Sequence, residues 1–532
     1  MAYFSLHAYD ADVWIREFRG LNQSDVGLNP NPNYAAEEWN LETPDGVLQP
    51  EALSTYVVGG LTDRIETAAN FYRRWYKGSG SSEWLVAASG GKLWYRQEGS
   101  DNYWTDMDMP TGISSFQNNV WSCATYEITE NGKTIDVLLM SNADDGMIMV
   151  VPPDRPANWA DKAEHDWDWV KGFTWARTKS ARWAIRTVNT LGKKFGVIAR
   201  HAERIWGGNI AGEPDTLMYS KPYDPTDWAA DVDHPEDGGG DVMQPTWDGT
   251  SFTALVSFGD QLLAFKQNRV WRIVGTDPGV FEFREQYGEG SAYGNTIVSD
   301  GEKVYMVDTR GMSIYDGMTV SPYNRDAVKE LWRNINRDAM DQMAAAVYDQ
   351  RYYLAFPEGT SAVNNALLIY NFRDGTVLYS KTRYIESFLK TNTKLYAASS
   401  QTPGRLFEIN YDSWVTGASR DIATKWVSPW MDLGYKRIQK GGFDLYFIPE
   451  VQNEEVTLKF SIQTEKKLKT KTYTVKPLTD EQRAKPKEHR GKRLHFGGMG
   501  RKFRVIIETS AGSTAPWRLI GGLQLVVETD PD

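Results

Sequence analysis

The sequence predicts an all-β chain: a β-propeller of about seven blades, followed by a C-terminal antiparallel β-sandwich. Three observations predict it. Aromatic residues make up 13% of the 532 residues and Gly contributes 46, a pairing suited to short strands whose flat rings cover half-buried faces and whose ends turn tightly. Hairpin-like units recur from Glu83 onward. Beyond Trp426 the rhythm changes to longer strands with strict alternation of apolar and polar residues.

Residues 1–80 read as an N-terminal arm with the first strands that close the propeller, and residues 81–415 as the propeller itself. The first unit joins Trp84 to Ala88 and Leu93 to Tyr95 through the turn Ser89-Gly90-Gly91-Lys92, a hairpin signature. Comparable runs are Ile135 to Met140 with Met147 to Val151, and Phe195 to Ile205, read as one run, with Leu217 to Ser220. Thr253 to Phe258, Leu262 to Lys266 and Val270 to Val274 form the next, then Asn295 to Ser299, Val304 to Asp308 and Met312 to Asp316. Ala344 to Tyr348, Tyr352 to Phe356 and Leu367 to Asn371 follow, and Phe388 to Ile409 is the last. Unit starts fall roughly 40 to 75 residues apart, against a blade period of about 40 to 50. A two-sheet sandwich array is the structural rival that the same hairpins could build.

Two stretches interrupt the rhythm. Between Val151 and Phe195 stand Trp159, Trp167, Trp169, Trp175 and Trp183, which predicts an extra blade or an insertion. From Asn324 to Met343, Val328, Leu331, Trp332 and Ile335 fall at helical spacing. That predicts a surface helix, capped by Asn324 or Asp326, whose apolar stripe packs on the propeller.

After a boundary near residues 413–425, residues 423–532 read as the sandwich. Val456, Leu458, Phe460 and Ile462 face one way and Thr457, Lys459 and Ser461 the other. Phe503, Val505 and Ile507 repeat the pattern, and Leu523, Leu525 and Val527 close it.

Composition excludes several function classes. The longest apolar stretches, Ala366 to Tyr370 and Met147 to Val151, run about five residues where a membrane-crossing helix needs about 20. The opening Met1-Ala2-Tyr3-Phe4 has neither a basic region nor an apolar core, so the expectation is a protein without a secretory signal, made and kept in a cytoplasm. The single cysteine, Cys123, has no internal disulfide partner and reads as a buried small side chain. The net charge of -11 divides unevenly: residues 436–504 hold 18 Lys and Arg against 8 Asp and Glu, near +10, which leaves the rest near -21.

No active-site motif stands out. The six histidines, His7, His165, His201, His234, His489 and His495, include no pair at i, i+4, so no helical zinc motif forms. Phosphate-loop and nucleophile-elbow patterns are absent from the sequence, and no cofactor, metal or catalytic residue is implied. Asp231, Asp233, His234, Glu236, Asp237 and Asp241 read as a solvated loop and Gly238-Gly239-Gly240 as a flexible one. Ser141 followed by Asp144-Asp145-Gly146 is one residue too long for a sialidase aspartate box. The basic segment Lys466, Lys467, Lys469, Lys471, Arg490, Lys492 and Arg493 holds few aromatics. It therefore reads as a solvated hairpin or an electrostatic dock for an acidic protein partner rather than a nucleic-acid-binding surface.

Several phrases resemble the β-propeller tail proteins of bacteriophages, including the nozzle or packaged-DNA-stabilisation proteins of short-tailed phages. They are Ile15-Arg16-Glu17-Phe18-Arg19-Gly20-Leu21-Asn22, Arg204-Ile205-Trp206-Gly207-Gly208, Pro214-Asp215-Thr216-Leu217-Met218-Tyr219-Ser220 with Asp224-Pro225-Thr226-Asp227-Trp228, Gly311-Met312-Ser313-Ile314-Tyr315-Asp316-Gly317, and Ser428-Pro429-Trp430-Met431-Asp432-Leu433-Gly434. The resemblance implies a non-enzymatic virion protein, synthesised in the host cytoplasm, that forms a homo-oligomeric ring. DNA would pass through it at ejection without sequence recognition, and adaptor, fibre or spike proteins would attach. The alternative is a carbohydrate-active or glycan-binding propeller acting on host surface polysaccharide.

Overall fold

The computed structural model describes residues 9–24, 31–74, 81–99, 103–130, 133–151, 183–243, 249–286, 290–433, 439–484, 486 and 490–530. The chain is all-β and dominated by four-stranded antiparallel sheets.

Seven of these sheets, here I to VII, follow one another along the chain. Sheet I comprises Thr67–Arg74, Ser81–Ser89, Lys92–Gln97 and Thr105–Asp106; sheet II comprises Ser122–Glu130, Lys133–Asn142, Gly146–Val151 and Ala184–Thr187. Sheet III is Phe195–His201, Arg204–Ile210, Thr216–Tyr219 and Gly240–Met243; sheet IV is Ala254–Phe258, Gln261–Phe265, Val270–Val274 and Glu282–Gln286. Sheet V holds Val298–Ser299, Val304–Asp308, Gly311–Tyr315 and Val320–Pro322; sheet VI holds Ala344–Tyr348, Arg351–Phe356, Ala366–Asn371 and Thr376–Lys381. Sheet VII takes Ile385–Lys390, Leu395–Ser399 and Leu406–Glu408 from the end of the array and its fourth strand, Thr55–Val58, from before sheet I.

Alternation of side chains explains why the inner strands are apolar throughout. Along Gln261–Phe265, Leu262 and Ala264 pack with Trp206 and Leu217 of sheet III, while Leu263 and Phe265 pack with Val304 and Met306 of sheet V. One strand therefore serves two cores. The same sharing runs through every seam: sheets I and II meet at Phe71, Val86, Leu138 and Val150, and sheets V and VI at Val307, Met312, Leu354 and Leu368. Val58, Leu85, Ala87, Tyr396 and Leu406 form a core that joins sheet VII back to sheet I. The sheets thus close a ring of contacts.

Two further sheets share one large core. Sheet VIII is ordered Tyr9–Ile15, Trp517–Asp530, Gln439–Val451, Lys492–Gly500; sheet IX is ordered Glu37–Trp39, Thr424–Val427, Phe503–Thr509, Val456–Thr464, Leu468–Val475. Ile15, Phe443, Leu445, Leu525 and Val527 of the first meet Trp426, Leu458, Phe460, Val505 and Ile507 of the second.

Several expectations need correction. Residues 1–80 give Thr67–Arg74 to sheet I and also two strands to sheets VIII and IX; the cross-chain pairs behind those two, Tyr9 to Thr529 and Glu38 to Trp426, leave no local sign. The run from Phe195 to Ile205 is a hairpin turning at Ala202 and Glu203, both with positive φ, 48° and 61°; neither is a customary turn residue. The helix expected over 324–343 is one α-turn, Lys329–Arg333, between the 3₁₀ segments Arg325–Val328 and Arg337–Gln342, and Asn324 caps nothing with its side chain. Its apolar residues do pack inward, with Val328, Trp332 and Ile335 buried against sheets V and VI. Gly238, Gly239 and Gly240 are tightly packed: a Cβ on Gly239 would lie 2.6 Å from the Trp228 backbone and one on Gly240 2.5 Å from the Tyr219 hydroxyl. Most of the Trp-rich interval lies outside the described residues, although Trp183 is buried at the seam of sheets I and II.

Candidate interaction surface

The basic segment divides in the fold. Thr464 stabilises the turn between Val456–Thr464 and Leu468–Val475, its N–H donating to the Lys467 carbonyl (2.8 Å) and its Oγ1 accepting from the Lys467 N–H (3.1 Å). That turn lifts Lys466 and Lys467 into solvent, and Lys469 and Lys471 follow on the outermost strand of sheet IX, all exposed. Lys469 and Lys471 pair with Ile462 and Phe460 and so sit on the core side of the sheet at its uncovered edge. Lys471 stands over the Phe496 ring at 5.8 Å. Charges on the inward face of an edge strand oppose indiscriminate strand addition.

Arg490, Lys492 and Arg493 lie elsewhere, and two of them are engaged internally. Arg490 donates to Glu450 at 2.9 Å with its side chain largely buried, and Arg518 grips the same carboxylate at 2.7 Å. Arg493 pairs with Asp444, which also meets His495 at 3.0 Å; these contacts hold the Asp444 carboxyl below its usual range. Lys492 is exposed at the start of its strand. The expected seven-residue dock is thus an exposed lysine hairpin plus arginines that brace sheet VIII. Glu450 and Asp444 are remote in sequence from their partners, so the bracing has no local signal.

Sequence reasoning missed the joint made by the N-terminal segment. Asn40 accepts from the Lys381 N–H (2.7 Å) and donates to the Ala423 carbonyl (2.8 Å). Glu42, fully buried, accepts from the N–H groups of Ala52 (2.8 Å), Asp412 (2.8 Å) and Ser413 (3.2 Å). Burial and the nearby Glu51 push its carboxyl up to about 7 despite those donors. Glu51 is paired with Arg420 and Arg383. Residues 38–54 thereby tie sheets VI and VII to the 412–423 connection.

Two of the chemistry-bearing clusters are tied to neighbouring loops and strands. Asp145 accepts from the N–H groups of Gln117 (2.9 Å) and Asn118 (3.1 Å), so the Asp144-Asp145-Gly146 turn clamps a neighbouring loop. His201 meets the Ser257 hydroxyl at 3.1 Å beside a groove of about 570 Å³ that Asp260 also lines. Burial lowers the His201 pKa, with Asp260 acting against it. Among the described residues no carboxylate is hydrogen-bonded to its other ring nitrogen, the orienting contact of a Ser-His-Asp triad. The described residues contain no group of three His, Cys, Asp or Glu able to hold a metal ion, the acidic 231–241 stretch included.

No family model and no curated protein matches the chain. Among solved structures, the Neurospora crassa Pan2 WD40 domain is similar at 8% identity and a TM-score of 0.33, over 68% of this chain and 90% of that one. Dihydro-heme d1 dehydrogenase NirN in complex with DHE is similar at 10% identity and a TM-score of 0.31, over 59% of this chain and 57% of its own length.

Proposed function

We propose that the chain is a structural component of a bacteriophage tail, a seven-bladed β-propeller with a β-sandwich, that assembles into a homo-oligomeric ring continuing the DNA channel. In this reading sheets I to VII are the blades, Thr55–Val58 closes the last of them, and sheets VIII and IX form the sandwich. The observation that carries the assembly is the uneven charge. A segment near +10 carries an exposed lysine hairpin on a body near -21, and opposite fields on one molecule favour head-to-tail association of copies. Adaptor and fibre proteins would attach to the same virion ring. The resemblance of the blade phrases to phage tail proteins supports the setting. Sedimentation velocity of the purified chain, with mass spectrometry of purified virions, tests it: a concentration-dependent oligomer and presence in particles are expected, and a strict monomer absent from particles overturns it.

One observation favours glycan binding as a second reading. Trp14, Gln524, Tyr446 and Arg493 align across the four strands of sheet VIII on its outer face, with Trp14 half exposed. Aromatic faces flanked by hydrogen-bonding groups suit pyranose rings. A glycan array with wild type and Trp14→Ala tests it, and loss of a glycan signal in the variant is expected under this reading.

A further inference from the structure

We propose that the lysine hairpin of sheet IX docks on the acidic 231–237 loop of a second copy, forming the repeating contact of the ring. This inference rests on the oligomeric reading above and names the two surfaces.

The hairpin tip reads Glu465-Lys466-Lys467-Leu468-Lys469. Among the described residues Lys466, Lys467 and Lys469 form no ion pair, and Leu468 between them is 55% exposed. The loop reads Asp231-Val232-Asp233-His234-Pro235-Glu236-Asp237, and Val232 is 90% exposed. Each surface thus carries one apolar side chain flanked by charges, and the signs are opposite. A small desolvated centre inside a complementary charged rim is the usual anatomy of a specific contact.

Both surfaces are held rigid before they meet. Thr464 fixes the hairpin turn. Beneath the loop, buried Arg204 donates to the carbonyls of Ser220 (2.8 Å), Gly238 and Glu236, and Asp231 accepts from the N–H groups of Asp233 (3.0 Å) and His234 (2.9 Å). Preorganised partners lose less side-chain and loop entropy on association. The loop belongs to sheet III and the hairpin to sheet IX, so the contact uses two different patches on each copy. Such a heterologous contact closes into a ring when its rotation permits.

The test compares wild type with two reversed variants of the full chain, Lys466→Glu/Lys467→Glu/Lys469→Glu and Asp233→Lys/Glu236→Lys/Asp237→Lys, by sedimentation velocity at low and high salt. All six positions are exposed, and circular dichroism monitors folding. Each reversal is expected to weaken assembly on the order of 100-fold or more, since like charges then face one another. A chain carrying both reversals should recover it, and wild-type assembly should weaken as salt rises. If either reversed variant assembles as wild type does, or the double reversal fails to recover, the pairing is overturned while the ring stands. If wild type stays monomeric at low salt, the ring reading fails and this contact with it.

Discussion

Single side chains at the seams show how far burial outweighs residue type. Glu38 is 1% exposed in Glu37–Trp39, the edge strand of sheet IX opposite the lysine hairpin, and among the described residues neither of its carboxylate oxygens has a hydrogen-bond partner. Burial pushes its carboxyl well above the usual range. A buried polar group without partners costs about 1–3 kcal/mol, so Glu38→Leu, close in volume, should raise unfolding stability by about that much in urea titrations. A loss of stability would show that the carboxyl is satisfied in solution. Cys123 makes the complementary case. Its thiol, partly buried beside the core of sheets I and II, contacts the Trp121 carbonyl, and desolvation there pushes its pKa up to about 12. Because the thiolate is the nucleophile, iodoacetamide at pH 8 should label it far more slowly than a free thiol, and denaturant should abolish the difference.

At the scale of elements, legibility followed exposure and distance along the chain. Central strands such as Arg351–Phe356 and Ala366–Asn371 are buried at every position and stand out as apolar runs. The outer strands do not: Gly240–Met243 alternates between partly buried and exposed residues, and Thr105–Asp106 has only two residues, so those fourth strands went unread. Closing strands are expected within residues 1–80, but nothing local marks Thr55–Val58 as one of them, because its partner Leu406–Glu408 lies at the far end of the array. That closure makes a definite prediction. Leu406 is fully buried in the core that joins sheet VII to sheet I, so Leu406→Ala should cost about 2–5 kcal/mol. The surface substitution Lys466→Ala should stay within about 0.5 kcal/mol of wild type. Similar losses for both in chemical denaturation would mean that the ring does not depend on its seam. Backbone geometry sets another limit at Gly522, where φ is +74° and a Cβ would lie 1.8 Å from the Ile15 carbonyl oxygen. Gly522→Ala should therefore loosen the Tyr9–Ile15 strand, seen as faster amide exchange there than in Trp517–Asp530.

For the whole molecule, what the sequence displayed was charge, and what it hid was where the charges are used. The excess of lysine over 466–471 is visible in the chain, and the fold leaves it exposed. The equally basic Arg490 is consumed by Glu450. The most consequential carboxylate, Glu42, has no sequence signature, because two of the three N–H groups that meet it come from Asp412 and Ser413, far along the chain. Its pKa is raised from 4.5 to about 7 by burial and by Glu51, so the folded chain holds this proton more tightly than the unfolded chain does. The group's contribution to stability is therefore complete below about pH 4.5 and lost as pH rises to about 7. Over that window the joint between the ring and the 412–423 connection should weaken by an amount on the order of 3 kcal/mol. Glu42→Gln separates this from other titrations. The amide presents one acceptor where three N–H groups converge, so the variant should be less stable than wild type below pH 4.5, and its stability should fall less than wild type's between pH 4.5 and 7. Urea denaturation across that range measures both effects. Parallel profiles would mean that Glu42 stays ionised and that its three donors outweigh desolvation.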